Sequence, residues 1–193
     1  AGCSVILVDR NEELLEKYQK DRAEFRNRIS VLVCDFEQEG YEQIVDGFVA
    51  QYHGKLDILV NNAAFVGDSK VKGWVDSFEQ QSVDTWRRAL EVNLTSSFVL
   101  TQKLTKFLAH DQNGRVVNIS SMYGFLGPYM KLYDGTKMGN PAAYSVSKGG
   151  LIQLTKWLST TLAPSIRVNV VSPGGIERGQ EKSFKEKYIE RVP

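Results

Sequence analysis

Short apolar runs rich in β-branched residues alternate along this chain with segments of helical periodicity. Val5-Ile6-Leu7-Val8 is a continuous apolar run that ends at Asp9, the pattern of a strand covered on both faces. Asn11 then predicts a capped helix to about Phe25, with Leu14, Leu15 and Tyr18 on one stripe. A second buried strand, Ser30 to Cys34, again ends in an acid, Asp35. Tyr41, Ile44, Val45, Phe48, Val49 and Tyr52 recur at helical spacing up to Gly54. The run from Leu56 to Val60 predicts a third strand leading into Asn61-Asn62-Ala63-Ala64, and residues 65–81 lack a period and read as a loop.

Ser82 predicts the cap of one long helix reaching about His110, with Trp86, Leu90, Leu94, Phe98, Leu104 and Leu108 as its apolar stripe. Asn113-Gly114 turns the chain into a fourth strand, Arg115 to Ser120. A helix opening at Tyr144 and a fifth strand, Ile166 to Val171, follow, and the stretch from Gln180 to Arg191 is charged and weakly helical. Strands separated by helices of this length predict right-handed βαβ units. The fold class is therefore α/β, a doubly wound parallel sheet in three αβα layers, organised as a single domain over residues 1–193. Ligands in such sheets bind at the carboxyl ends of the strands. Those ends carry the polar and small residues: Asp9, Asp35, Asn61 to Ala64, Ser120-Ser121 and Pro173-Gly174-Gly175.

Within that frame Tyr144 and Lys148 stand four apart on one helix face. A free phenol has a pKa near ~10, so it exchanges protons around neutrality only where a cation favours the phenolate, and Lys148 is such a cation. The same spacing is also met on ordinary helices. A second pair with this spacing, Tyr133 and Lys137, lies upstream, but Gly135, Gly139, Asn140 and Pro141 disfavour a helix there. Tyr144 instead opens onto Leu151, Leu154, Leu158 and Leu162.

Composition narrows the class by exclusion. A formal net charge of +1 with interspersed signs offers no footprint for nucleic acid or an anionic membrane, and no apolar run is long enough to span a bilayer. Cys3 and Cys34 lack metal-ligand spacing and no signal peptide is evident, so reduced thiols and a cytoplasmic location are expected. The sequons at Asn93 and Asn118 fall inside regular elements, where a glycan would be buried.

Taken in order, these motifs resemble the short-chain dehydrogenase/reductase family of classical type: Asp9, Asp35, Asn61-Asn62-Ala63-Ala64, Asn93, Asn118-Ile119-Ser120-Ser121, Tyr144 to Lys148, and Arg167-Val168-Asn169 leading to Pro173-Gly174. The resemblance implies a Rossmann-like oxidoreductase in which Tyr144 exchanges a proton with a substrate alcohol or carbonyl while hydride passes to or from a nicotinamide. By the same resemblance Lys148 lowers the tyrosine pKa and bonds the nicotinamide ribose. Ser121 bonds the reacting oxygen, and Asn93 holds the lysine and a water relay. Asp9 would bond the adenosine ribose and repel a 2′-phosphate, favouring NAD over NADP, although Arg10 beside it could receive a phosphate. Asp35 and Phe36 would flank the adenine, Asn61 and Ala63 line the cofactor channel, and Pro173, Gly174 and Ile176 sit by the nicotinamide.

The chain departs from the family in three ways. Ala64 stands where the family has glycine. The glycine-rich phosphate loop with its strand and helix would precede Ala1, and the final strand and helix would follow Pro193. A chain truncated at both ends, lacking the first βα unit and its pyrophosphate site, is therefore expected. The third departure is the 22 residues between Ser121 and Tyr144, more than the family's usual spacing. This insertion, with Tyr123, Phe125, Tyr129, Met130 and Tyr133, either covers a bulky polar ligand or packs on itself. Leu132-Tyr133-Asp134-Gly135-Thr136 before Pro141-Ala142-Ala143-Tyr144, together with Ser172-Pro173-Gly174-Gly175-Ile176 and Gln180, resembles a bacterial branch that serves in flagellin modification and surface-polysaccharide sugar biosynthesis, which implies a sugar or nucleotide-sugar substrate. The alternatives are a 3-oxoacyl thioester or small-ketone reductase of the same family, and a non-catalytic scaffold. The resemblance also implies a homodimer or homotetramer, with Phe98, Leu104, Trp157 and Leu158 either at the contact or in the core.

Overall fold

The computed structural model describes residues 2–52, 54–67 and 69–191. Its elements run β1 (Val5–Asp9), α1 (Glu12–Asp21), β2 (Ile29–Val33), α2 (Tyr41–Ala50), β3 (Ile58–Asn61), α3 (Val83–Leu90), α4 (Ser96–Leu108), β4 (Gly114–Ile119), α5 (Ala142–Thr161), β5 (Ile166–Val171) and α6 (Lys182–Ile189). Asn11 caps α1 by accepting from the Leu14 N–H, as its position predicts. That helix stops at Asp21 and gives way to a 3-10 segment, Ala23–Arg28, four residues short of the expected end at Phe25.

All strand pairs are parallel, but they form two sheets, β1–β2 and β3–β4–β5. Among the described residues β1 pairs with β2 alone and β3 with β4 alone. Their apolar runs read as doubly covered strands, yet Ile58 and Val60 of β3 are about half exposed, at 47% and 52%. One core nevertheless runs through both halves, from Cys34, Tyr41, Val45 and Val49 to Leu100, Leu104, Val116 and Ile166. No helix is long and apolar enough to cross a membrane among the described residues. Asn93 and Asn118 are fully buried, which closes both sequons to a glycan.

The single long helix expected from Ser82 onward is a correction. Ser82 does cap α3 by accepting from the Thr85 N–H, but a π-helical turn, Glu91–Thr95, separates α3 from α4. A wide turn inserts a residue and rotates everything beyond it, so a stripe of constant period cannot stay on one face. Leu104 and Leu108 are buried as predicted, whereas Phe98 faces outward. The inward face carries instead the small and polar Thr85, Asn93, Ser96, Ser97 and Thr101. Ser96 and Thr101 satisfy their hydroxyls on the carbonyls of Val92 and Ser97, four residues back.

The loop between β3 and α3 is anchored by Trp74, which meets Phe65 edge-on at 5.0 Å. Its turn depends on Gly73, whose φ of 70° lies in the left-handed region and where a Cβ would stand 2.3 Å from the Ser82 nitrogen. Backbone cannot yield there as a flexible side chain would. Gly73→Ala is expected to destabilise the fold by about 2–4 kcal/mol, read as a lower urea midpoint at unchanged slope.

Candidate active site

The site is assembled where β4 and β5 end and α5 begins. The backbones of the two strand ends are tied, Ser120 N–H to the Val171 carbonyl at 2.8 Å and Met122 N–H to the Pro173 carbonyl at 3.0 Å. Helix α5 packs closely because glycines permit it: a Cβ on its own Gly150 would meet Leu94 at 2.6 Å, and one on Gly124, in the turn after β4, would meet the Lys148 carbonyl at 2.8 Å. Ser120 uses its hydroxyl to fasten that contact, donating to the Lys148 carbonyl at 2.7 Å. Its neighbour Ser121, also buried, caps the short turn that follows by accepting from the Tyr123 N–H at 3.2 Å.

Tyr144 and Lys148 share α5, and the ammonium lies 5.9 Å from the centroid of the phenol ring. Only 3% of Lys148 is exposed, and its Nζ donates to the Ile119 carbonyl at 2.8 Å. Burial lowers its pKa to about 8. Tyr133 and Lys137 share no helix: Tyr133 follows a 3-10 turn, Met130–Leu132, and the Lys137 N–H donates to Glu181.

Asn93 sits in the π turn, wholly buried. Its Oδ1 accepts from the Phe65 N–H at 2.6 Å, and its Nδ2 donates to the Ser147 hydroxyl at 3.0 Å. Ser147 in turn donates to the Tyr144 carbonyl at 2.8 Å. Asn93 therefore bears on the lysine through the helix that carries it, not by a side-chain bond to the ammonium. The ammonium rests on β4, and Asn93 reaches the helix through Ser147, one residue earlier. Asn93→Ala would leave the buried Phe65 N–H without its partner. It should cost about 2–4 kcal/mol, seen as a lower melting temperature by circular dichroism.

At the ends of β1, β2 and β3, Asp9, Asp35, Phe36 and Ala63 line a single pocket of about 90 Å³. A larger cleft of about 550 Å³ adjoins it, sharing Arg10, Cys34 and Asp35. Asp9 is exposed at the end of β1 and accepts from the Asn11 N–H, and Asp35 accepts from the Glu37 N–H. Carboxylates beside an aromatic face suit the hydroxyls and base of a nucleoside, so this donor set fits the adenosine half of a dinucleotide. Asn61, expected to line the same channel, does not reach this pocket. Its amide is committed to a buried ladder, donating to Asn118 Oδ1 at 2.8 Å and to Thr101 at 3.3 Å, while Asn118 donates to Thr155 at 2.8 Å. An asparagine ending a strand gives no sign in sequence of which side its amide will take.

Pro173, Gly174 and Ile176 follow β5, with Ile176 strongly exposed. Above them stands Tyr188 of α6, whose hydroxyl accepts from the Gly175 N–H at 2.7 Å and which stacks on Phe184. A Cβ at Gly175 would meet that ring at 2.7 Å, so glycine is required for the approach. The insertion packs on α6 and not only on itself. Tyr133 meets Phe184 at 5.5 Å, and Lys187 donates to the carbonyls of Asp134 and Lys131. The Tyr133 hydroxyl donates to that of Tyr123 at 3.2 Å, and burial raises the Tyr123 pKa. Sequence reading missed Ser147 and Tyr188, both inconspicuous in apolar-polar patterning and given meaning only by contacts across the fold.

Parallel strands flanked by helices, with tyrosine and lysine on one helix beside the strand ends, define a Rossmann-type α/β domain. The chain belongs to the short-chain dehydrogenase family, whose model matches residues 1–188. It is 34% identical over 207 residues to the 3-oxoacyl-[acyl-carrier-protein] reductase FabG of Aquifex aeolicus (strain VF5), covering 100% of this chain and 73% of that protein. It is 31% identical over 188 residues to post-translational flagellin modification protein A of Campylobacter coli, covering 95% of this chain and 71% of that one. Among solved structures, an NAD+-bound xylitol dehydrogenase matches at a TM-score of 0.74 with 32% identity. That match covers 95% of this chain and 64% of the other, so the chain spans less than two thirds of that protein.

Proposed function

We propose that this chain is the catalytic domain of an NAD-dependent oxidoreductase acting on an alcohol or carbonyl of a sugar derivative. The observation that carries the reading is the placement of Ser121, Tyr144 and buried Lys148 about the end of β4. The nicotinamide, when bound, supplies the hydride acceptor or donor. Tyr144 gives a proton to the substrate oxygen, or takes one from it, at its phenol Oη. Lys148, protonated near neutrality, favours negative charge on that oxygen as it forms and offers ribose hydroxyls a donor. Ser121 donates to the substrate oxygen, aiming a fixed dipole at the developing charge. Asn93 and Ser147 keep the first turns of α5 in place against Phe65.

Asp9 would hold the adenosine hydroxyls, Asp35 and Phe36 would flank the base and Ala63 would line the channel, which supports NAD over NADP. Pro173, Gly174 and Ile176 would lie by the nicotinamide. A sugar substrate is supported by the hydroxyls of Tyr123 and Tyr133 beside the site and by the flagellin-modification relative. A second reading, reduction of a 3-oxoacyl thioester, is supported by the FabG relatives. We place the protein in the cytoplasm and pair it as a dimer through the outward-facing Phe98 and Trp157, since Leu104 and Leu158 belong to the core. NADH consumption measured against nucleotide-linked keto sugars and acetoacetyl thioesters tests the choice. Faster turnover of the keto sugars is expected, and the reverse order would move the assignment to thioesters.

A further inference from the structure

Arg10 follows Asp9 directly and lines both the pocket holding Asp9, Asp35 and Phe36 and the adjoining cleft. Its guanidinium is already engaged. Arg10 Nη1 donates to Glu37 Oε1 at 3.0 Å, and Arg88 grips the same carboxylate, Nε to Oε2 at 2.5 Å and Nη2 to Oε1 at 3.3 Å. Glu37 is the sheltered member, its side chain 15% exposed against 60% for Arg10 and 47% for Arg88. Arg88 and the Glu37 backbone are themselves held. Arg88 lies 4.9 Å over the Phe65 ring, and the Glu37 backbone N–H donates to Asp35 at 3.0 Å. The hydrogen bond from Arg88 to Glu37 also raises the pKa of Arg88.

A guanidinium next to the ribose-binding carboxylate is the group best suited to pair with a 2′-phosphate, because its planar donors match two phosphate oxygens. Here Glu37 accepts from Nη1 of Arg10 and sets a negative charge beside its remaining donors. Asp9, Asp35 and Arg10 line this pocket, Glu37 and Arg88 lie against its lining residues, and an amide in place of Glu37 would leave two carboxylates with two guanidinia. We propose that Glu37 is a specificity-determining residue: by holding Arg10 together with Arg88 it denies a 2′-phosphorylated nucleotide its cation and enforces selection of the unphosphorylated ribose. The inference rests on the nicotinamide reading and adds to Asp9 a second, indirect filter.

Calorimetric titration with 5′-AMP and with adenosine 2′,5′-bisphosphate reads the filter as binding, apart from turnover. Glu37→Gln should bind the bisphosphate about tenfold more tightly than the wild type, while 5′-AMP stays within about twofold. The gain should shrink in high salt and disappear in the double variant Glu37→Gln/Arg10→Gln. An unchanged melting temperature establishes that the variants are folded. A ratio of the two affinities that Glu37→Gln leaves unaltered, or equal weakening of both nucleotides, overturns the inference and leaves the nicotinamide reading standing. Wild-type protein that binds neither nucleotide overturns both.

Discussion

Replacing Tyr144 with phenylalanine is expected to lower kcat by about a thousandfold while changing the affinity for NADH by no more than about twofold. The substitution removes one oxygen and its proton. The ring and its packing in the first turn of α5 remain, and the carbonyl that receives the Ser147 hydroxyl is untouched. Loss of turnover with binding retained is the signature of a group acting in the chemical step. Tyr133→Phe should leave kcat within a few-fold, since that tyrosine follows a 3-10 turn in the insertion and its hydroxyl bonds Tyr123. It can raise KM for a polyhydroxylated substrate without touching the proton transfer. If Tyr133→Phe abolished turnover and Tyr144→Phe did not, the proton-transfer role would belong to the insertion.

Lys148→Met is expected to have two opposite effects. Turnover should fall by about a hundredfold or more, because the positive charge beside the phenol is lost. Stability at pH 7 should rise. The wild-type ammonium is buried, and its pKa is lowered from 10.5 to about 8 by loss of hydration. Below pH 8 the lysine is protonated in both folded and unfolded chains, and the folded one bears the full cost of the buried charge, on the order of 3 kcal/mol. Between pH 8 and 10.5 the folded protein releases the proton while the unfolded chain keeps it, so the unfolded state binds more protons and stability rises with pH. The wild type should therefore gain stability relative to Lys148→Met across that window, and the advantage of the variant should fade by its upper end. Urea midpoints for both proteins at pH 7, 9 and 10.5 measure this. A variant less stable than wild type at pH 7 would show that the bond from Lys148 to the Ile119 carbonyl outweighs desolvation.

The features legible in sequence were those set by local pattern. The β-branched runs place the strands within one or two residues, Asn11 and Ser82 are caps where their side chains suit capping, and the leucines after Tyr144 place it on a helix while Gly135 and Pro141 keep Tyr133 off one. Contacts between distant segments decide what was not legible. The π turn around Asn93 answers to Phe65 and Ser147, which lie 28 and 54 residues away, so periodicity alone runs the apolar stripe through it unbroken and leaves open whether Phe98 lies in the core or faces outward, as it does. Asn61 went to the Asn118 ladder for the same reason. Ile58 and Val60 stand two apart on one face of β3 and are half exposed, and an apolar run cannot disclose which face of a strand is covered. The Arg10–Glu37–Arg88 cluster spans 27 and 51 residues, and in sequence its members read as unrelated surface charges.

The central claim is that the chain carries the proton-transfer half of a hydride-transfer site, and isotope transfer tests it most directly. The protein is supplied with NADH deuterated at the transferring carbon and a nucleotide-linked keto sugar, and the product is analysed by mass spectrometry. The account predicts one deuterium in each alcohol formed, one NADH consumed per product, and loss of both in Tyr144→Phe. NADH that binds but passes no deuterium to keto sugar or acyl thioester would contradict it.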